Sequence, residues 1–556
     1  MNWSFRPAIL HLADSYDRRS FRADVGAGLT VGFIALPLAI GFAIASGCTP
    51  AQGLWTAIVG GFLITVLGGS KFQIGGPTGA FVPILAGVVA VHGFAGLALA
   101  TMMAGLMLIL AGLFKLGALL RYIPFPVVAG FTSGIAVIIF LGQIPSLLGL
   151  SLHDVQHAPE IFLETVRHLP EIQWPTALTG AIGLLVVLLL PKLTRRVPAA
   201  IVAVAITTAL VAFLHWPVET IGSKFGELPS TFPGWHLPTF TLPDLRALMG
   251  PAFTIAALGA IESLLSATVA DGMTDTRHDS NSELIGQGLA NFIVPLVGGF
   301  AATGAIARTA ANIRSGARSP VAGLVHAASL LLFVLVAAPL TKHIPLAGLA
   351  AILMGVALRM AEWSTFRETW RGSRADFATL LTTFALTILF DLTIGVSVGL
   401  LIGVVLFVKR MEDISHVSLL TPDDDPEHDG SLSLRGKEVP EGVVLFRFEG
   451  PLFFAVVAKL EHVLRTYTGR PKIIIFRLRH VPSIDASALH ALEIAVSKMQ
   501  HDGVRILLTA VQPQPMKALT ASGLTKKLGP DSFCRSIDDA LLLANQLLAE
   551  APPRVP

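Results

Sequence analysis

The sequence predicts a polytopic α-helical membrane protein of 14 segments in two inverted 7-segment repeats, followed by a small α/β domain. Three observations carry this expectation. Only 14% of the 556 residues are charged and 53% are hydrophobic, whereas a soluble protein carries about a quarter charged residues. The charge is uneven, sparse before residue 410 and dense after it. A glycine-rich stretch ending in Thr-Gly-Ala also occurs twice among the apolar runs, once in Ile74–Pro83 (IGGPTGAFVP) and once in Gly298–Arg318 (GGFAATGAIARTAANIRSGAR).

Composition excludes several classes. A net charge of +3 gives no reason to expect a nucleic-acid partner. The two cysteines, Cys48 and Cys534, imply no disulfide framework. No nucleophile–base pair, phosphate loop or metal-ligand spacing occurs, so the reading is no enzyme, no metal and no cofactor. The first apolar run follows a 24-residue basic prelude without a cleavage site and reads as a retained span.

Residues 1–24 carry Arg6, Arg18, Arg19 and Arg22, and Trp3, Phe5, Ile9, Leu10 and Leu12 fit an amphipathic interfacial helix. The transmembrane domain is expected over 25–410. Its apolar segments fall at 25–45, 51–69, 77–92, 94–114, 123–142, 176–191, 197–214, 249–269, 282–298, 304–314, 320–339, 345–359, 376–390 and 393–408. Several are shorter than the ~20 residues of a full span. With the N-terminus cytoplasmic, inside loops collect 19 Lys and Arg and outside loops four, Arg167, Lys224, Arg246 and Lys342. Seven segments per half reverse the second copy, which gives inverted repeats. The outside loops 145–175 and 215–248 hold His153, His157, His168, His215 and His236, read as surface residues. A polar linker is expected over 411–440, with Asp423, Asp424, Asp425 and Glu427. An α/β domain is expected over 441–550. Its strands fall at Val443–Phe448, Lys472–Leu478 and Val504–Ala510, and its helices at Ser487–Met499, 514–522 and 537–549.

The chemistry concentrates where the two Thr-Gly-Ala stretches fall. Gly298–Thr303 reads as unwound backbone before a short helix from Gly304 to Arg314, and Thr78-Gly79-Ala80 repeats the pattern before the third segment. A helix that begins inside the membrane points free N–H groups and a positive dipole end at the protein interior, which suits an anion. Arg308, one turn in, adds a full charge. Paired Gly/Pro-interrupted segments in two halves mark a transporter binding site. The alternative is a re-entrant connector with Arg308 snorkelling to the interface.

Glu262 stands in the eighth segment, with Ser266 one turn on. An ionisable residue inside a span is a functional hypothesis by default. A carboxyl group there could load a proton, hold Na⁺ with a hydroxyl and carbonyls, or form a structural ion pair with Arg308. Asp271, Asp275, Arg277, His278, Asp279 and Glu283 read as a solvated loop at the cytoplasmic end. Pro37 interrupts the first segment and frees a carbonyl. Phe42 follows, either walling a cavity or packing. Ser487, at a strand-to-helix turn, reads as an N-cap or a regulatory phosphosite.

At these residues the chain resembles the SulP anion transporters, solute carrier family 26 in animals. The matching stretches are GLTVGFIALPLAIGFAIASG (28–47), QIGGPTGAF (73–81), AIESLLSATVADGMTDTRHDSNSELIGQG (260–288) and ATGAIARTAANIRSGARSP (302–320). GPLFFA (450–455), RPKIIIFRLRHVPSIDASAL (470–489) and VQPQP (511–515) resemble the family's STAS domain. The resemblance implies a core domain and a gate domain, a homodimer and elevator-type alternating access. It implies an anion site at Phe42, at Thr78, Gly79 and Ala80, and at Gly304, Ala305, Ile306, Ala307 and Arg308. It places the coupling ion at Glu262 and Ser266. Sodium-coupled relatives resemble an Asp and a Thr at those two positions, so Glu262 and Ser266 favour a proton. Ser487 matches the phosphorylated serine of related anti-sigma-factor antagonists, although Ala488 replaces their glycine.

The sequence therefore reads as a secondary active anion transporter of a bacterial inner membrane, coupled to protons, with the STAS domain cytoplasmic. Its candidate substrates are sulfate, bicarbonate and C4-dicarboxylates. The rivals are a sodium-coupled symporter, an uncoupled exchanger or channel, and a membrane sensor that signals through STAS. A nucleobase carrier would want more polar side chains facing the site than the sequence supplies.

Overall fold

The computed structural model describes residues 5–14, 16–118, 123–152, 155, 157–194, 197–228, 231, 233–235, 241–390, 392–422, 433–453 and 471–550. Trp3, Arg121, His153, Arg195, Arg196, His236, the acidic run Asp423–Glu427, and Phe454, Ala455 and Arg470 of the C-terminal motifs lie outside the described residues. The chain divides into two units, Met1–Leu401 and Ile402–Pro556.

The first unit is helical. Helix α1 (Arg18–Ala45) starts on Asp17, whose carboxylate accepts the Ser20 amide at 2.7 Å. That cap moves the start seven residues ahead of the hydropathy boundary at 25, so among the described residues only the 3₁₀ turn Ala8–Asp14 remains of the expected interfacial helix. Helix α2 (Pro50–Trp55) opens on a Thr49/Gln52 capping box. It runs through one π turn, Thr56–Gly60, into α3 (Gly61–Leu67). The short strand β1 (Gly75–Gly76) precedes α4 (Val82–Leu113). Helix α4 breaks at Gly93, where φ is 65°, at the point that separates the third and fourth apolar segments.

Helices α5 (Phe125–Leu148), α6 (Ala158–Arg167), α7 (Trp174–Leu193), α8 (Ala199–Leu214) and α9 (Ile221–Phe225) follow. Helix α10 (Leu242–Thr274) starts on a Thr241/Asp244 capping box and leads to α11 (Ser280–Ile293). Strand β2 (Thr303–Gly304) precedes α12 (Ile306–Arg314) and α13 (Val321–Ala337). Helices α14 (Leu346–Met360), α15 (Trp363–Arg371), α16 (Arg374–Leu389) and α17 (Leu392–Ile414) complete the order. Helices α6, α9 and α15 occupy stretches read from sequence as loops. Among the described residues, nine helical stretches are long and apolar enough to cross a membrane.

Glycine sets how close the helices come. A Cβ on Gly28 of α1 would stand 2.4 Å from the Ala322 carbonyl of α13, and one on Gly32 would stand 2.0 Å from Ser329 Oγ. Gly105 of α4 meets the Gly288 carbonyl of α11 at 2.6 Å, and Gly130 of α5 meets the Leu380 carbonyl of α16 at 2.4 Å, by the same construction. In a bilayer, where apolar burial does not drive helices together, such close approach supplies the packing energy.

Two buried carboxylates tie down the loops. Asp24 accepts the amides of Arg318 (2.6 Å) and Ser319 (3.1 Å) and hydroxyls from Ser319 and Tyr16. Glu283 accepts the amides of Gly69 (2.8 Å) and Ser70 (3.1 Å) and is fully buried. This corrects the reading of Glu283 as part of a solvated loop. Its amide partners lie more than 200 residues earlier in the chain, so local polarity could not reveal them. Asp271 of the same stretch accepts from the His278 ring at 2.7 Å.

The second unit is a five-stranded sheet in chain order: β3 (His416–Leu419), β4 (Val443–Glu449), β5 (Ile473–His480), β6 (Arg505–Thr509) and β7 (Phe533–Cys534). Strand β3 pairs antiparallel with β4, and the remaining pairs are parallel. Helices α18 (Ala486–His501), α19 (Pro513–Ala521) and α20 (Leu524–Leu528) carry side chains into one apolar cluster, and α21 (Ile537–Glu550) carries them into a second. The stretch 411–440, read as a linker, begins with the end of α17 and the edge strand β3. That strand has four mostly exposed residues, too few for an alternating pattern to register.

Candidate functional site

The two Thr-Gly-Ala stretches meet. Strands β1 and β2 pair antiparallel, Gly75 opposite Gly304 and Gly76 opposite Thr303. The Ala305 amide extends the contact, donating to the Ile74 carbonyl at 2.9 Å. Each strand leads straight into a helix start. On one side Thr78 takes the N-cap position of a 3₁₀ turn, Gly79–Phe81, that continues into α4. On the other, Ala305 takes the N-cap of α12 without a side-chain cap. The earliest α12 amide bonded within the helix is that of Thr309, to the Ala305 carbonyl. Among the described residues, the N–H groups of Ile306, Ala307 and Arg308 thus stand free at the helix start, as in any uncapped first turn. Ile306 is 38% exposed although its flanking strand is buried, so this helix end faces open space.

Arg308 and Glu262 converge on the opposite entry. The Arg308 guanidinium is 3% exposed, and its Nη2 donates to the Pro77 carbonyl at 2.7 Å. Its Nη1 has no hydrogen-bond partner among the described residues. Gly76 makes room for it: a Cβ there would lie 2.8 Å from Nη1, and its φ of 141° already favours glycine. Glu262 comes from α10, half-buried, and its Oε2 accepts the Thr78 hydroxyl at 2.7 Å. The ion pair considered from sequence is not formed among the described residues. Each side chain binds one of two adjacent residues, Pro77 and Thr78, instead of the other.

Phe42 of α1 is 4% exposed, and its Cε1 would lie 3.2 Å from a Cβ on Gly79. Ile139 of α5 and Met360 of α14 crowd the same point, at 3.0 and 3.4 Å. Phe42 therefore reaches the first half-helix start, as one of three apolar groups over Gly79. Ala80 is buried behind it.

Ser266 falls elsewhere. It is fully buried and donates to Thr309 Oγ1 at 3.0 Å, and that same oxygen accepts the Ile74 amide at 3.0 Å. Its hydroxyl fastens α10 to α12, and Thr309 in turn ties α12 to the residue before β1. The residue that sequence reasoning missed is Ser263. Its Oγ lies 2.7 Å from Thr303 Oγ1 and accepts the Gly304 amide at 3.4 Å. Successive residues of α10 thus meet the two repeat threonines, Glu262 on Thr78 and Ser263 on Thr303. A hydroxyl beside a carboxylate in an otherwise apolar run was the available signal.

In the C-terminal unit Asp485 caps α18, accepting the Ala488 amide at 2.8 Å. This corrects the N-cap reading of Ser487, which is exposed in the first turn.

Comparison with known proteins decides the family. The sulfate permease family model matches residues 21–383, and the STAS domain model matches 436–540. The chain belongs to the sulfate permease family. It is a multi-pass membrane protein of that family with a C-terminal STAS domain, and the family consists of transporters, not enzymes. The chain is 42% identical over 93% of its length to a Bacillus subtilis (strain 168) protein entitled "Putative sulfate transporter YvdB", covering 97% of it. It is 32% identical to the bicarbonate transporter BicA of Picosynechococcus sp. (strain ATCC 27264 / PCC 7002 / PR-6), covering 94% of each chain. The transmembrane domain of a cyanobacterial BicA superimposes with a TM-score of 0.62 at 31% identity, covering 70% of this sulfate permease family chain and 98% of that one. The murine anion transporter SLC26A9 in its inward-facing state shares the fold, with a TM-score of 0.86 at 18% identity over 98% and 94% of the two chains.

Proposed function

We propose that this sulfate permease family member is a secondary active transporter of small anions, driven by proton symport. The observation that carries the reading is the convergence of Arg308 and Glu262 on Pro77–Thr78. A cation and a carboxyl group then meet at one half-helix entry, which the β1–β2 pairing sets beside the uncapped start of the other, α12. The anion would be held by the free amides of Ile306, Ala307 and Arg308 and by Arg308 Nη1, with Thr78, Gly79, Ala80 and Phe42 opposite. Helix starts bind anions this way because N–H groups and dipole point together. The relatives' names favour sulfate and bicarbonate as first candidates, with C4-dicarboxylates behind them.

Glu262 would carry the coupling proton. A carboxylate and a bound anion repel, so protonation and anion binding favour each other, and the linkage is reciprocal. Sodium is less favoured, because the Ser266 hydroxyl is engaged with Thr309 and does not join Glu262 in a cation site. The antiparallel β1–β2 pairing supports two inverted seven-segment repeats. It also supports an elevator motion, in which the half-helices travel together as a core past a gate domain. The Lys and Arg asymmetry favours a cytoplasmic N-terminus and STAS domain in a bacterial inner membrane. A homodimer and regulation at Ser487 complete the proposal.

The test is uptake into proteoliposomes of radiolabelled sulfate, bicarbonate and succinate under imposed gradients. An inward proton gradient should drive accumulation of at least one of them. Accumulation driven by a sodium gradient at fixed pH would replace the proton with sodium. Specific anion binding without flux would favour a sensor.

A further inference from the structure

Helix α15 occupies a stretch read from sequence as a loop, and its surface has no role in the anion site. Trp363, Arg367 and Trp370 fall at i, i+4 and i+7, one face of a helix. Arg371 ends the helix, and Arg374 opens α16 three residues later. Trp363 and Trp370 are 53% and 66% exposed, and all three arginines are exposed. The indoles are nonetheless held in place. The Trp370 ring meets Phe377 edge-on at 4.8 Å, and the Trp363 ring meets Phe384 at 6.4 Å, both from α16. Phe366 also packs on Phe384, at 5.2 Å. This is a rigid face of alternating indole and guanidinium.

Its depth follows from its place between two apolar helices. Helix α15 is separate from α14, which ends at Met360 with extended backbone at Ala361, and α16 begins at Arg374. A short helix of tryptophan and arginine that joins the ends of two apolar helices lies at the interface, among lipid headgroups, where indoles sit and phosphodiesters are within reach of arginine. The nearby acids do not neutralise the patch. Asp376 lies at the start of α16, its amide on Ser373, and Glu362 accepts the Thr365 hydroxyl at 3.1 Å. Only Glu368 shares the exposed surface of α15. Among the described residues, no ion pair involves Arg367, Arg371 or Arg374.

We infer that Trp363, Arg367, Trp370, Arg371 and Arg374 form a binding site for the headgroup of an anionic glycerophospholipid. The guanidiniums fork onto its phosphate oxygens, and the indoles cover its glycerol and upper acyl carbons. A bilayer lipid is the occupant because the face lies at headgroup depth and couples apolar rings to cations. A soluble anion would have no use for the rings.

The test uses the full chain in detergent, titrated with phosphatidylglycerol or phosphatidylcholine while thermal unfolding is followed. Phosphatidylglycerol should stabilise it more, and added salt should weaken the effect. In R367Q/R371Q/R374Q the phosphatidylglycerol concentration for half the effect should rise by about tenfold or more, since each cation near an anionic surface contributes separately. An unchanged concentration in the variant, or equal stabilisation by phosphatidylcholine, overturns the inference. Should that variant fail to fold, lipids with brominated acyl chains decide the matter. Brominated phosphatidylglycerol should quench tryptophan fluorescence more than brominated phosphatidylcholine, and W363F/W370F should abolish the difference. Equal quenching by the two lipids overturns the proposal, as does no quenching at these indoles, the result expected if protein covers the face.

Discussion

Replacing Arg308 by alanine is the most direct perturbation of the proposed anion site. Among the described residues the guanidinium makes one hydrogen bond, Nη2 to the Pro77 carbonyl at 2.7 Å, and leaves Nη1 uncommitted. The truncation removes one charge-assisted hydrogen bond to the anion and keeps the free amides of the α12 first turn. Hydrogen bonds to charged groups contribute about 1.5–3 kcal/mol, so apparent affinity should fall by roughly 10- to 150-fold. The fold should survive, because the loss costs only the Pro77 contact while removing a buried cation. Arg308→Lys should fall between, since an ammonium keeps the charge but cannot hold the carbonyl and the anion with one planar fork. The measurement is anion-dependent thermal stabilisation of purified protein, with size-exclusion chromatography as the check on folding. Unchanged affinity in monodisperse R308A would take Arg308 out of the site and leave the helix dipole alone to explain binding.

Gly76→Ala should weaken anion binding without touching any charge. Its Cβ would stand 2.8 Å from Arg308 Nη1 at a φ of 141°, a strain of roughly 1–3 kcal/mol, and wild-type affinity in a titration would contradict the positioning role. Wild-type protein should bind anion more tightly as pH falls, because protonating Glu262 removes a repelling charge. Glu262→Gln should flatten that dependence and abolish uptake driven by a proton gradient while exchange survives; proton-driven accumulation by the variant would move the coupling group elsewhere. A chain ended after Ile414 should keep its anion affinity, because every proposed site residue precedes α17; a monodisperse truncate that no longer binds would show that the STAS domain takes part.

The readable parts of the molecule were those written in local pattern. The half-helix starts showed because glycine and a repeated Thr-Gly-Ala break an apolar run in only a few ways. The break at Gly93 showed as a gap between hydrophobic runs, and the STAS strands β4, β5 and β6 showed as β-branched stretches of alternating or continuous apolar residues. Long-range pairing did not show. Glu283 looks solvated in a stretch rich in Asp and Glu, yet it satisfies two amides of a distant loop. Ser266 looked like a partner for Glu262 because the two are one turn apart, whereas the side chain turns to Thr309. Hydropathy also missed the start of α1, because Arg18–Asp24 is polar and the signal there is a single capping aspartate.

The β1–β2 ladder fixes when the site can first exist. Arg308 and its acceptor Pro77 are 231 residues apart in sequence. At about 5–20 residues per second a ribosome needs on the order of 10–50 seconds to cover that interval. Throughout it, the Gly75–Thr78 backbone is already made and without its eventual partners. Such groups are costly to leave unmet in lipid. The nascent protein therefore has a waiting period during biogenesis in which its half-finished centre needs shelter, from the insertion machinery or from the helices already delivered. Slow synonymous codons between these two points should lower yield without altering the mature protein.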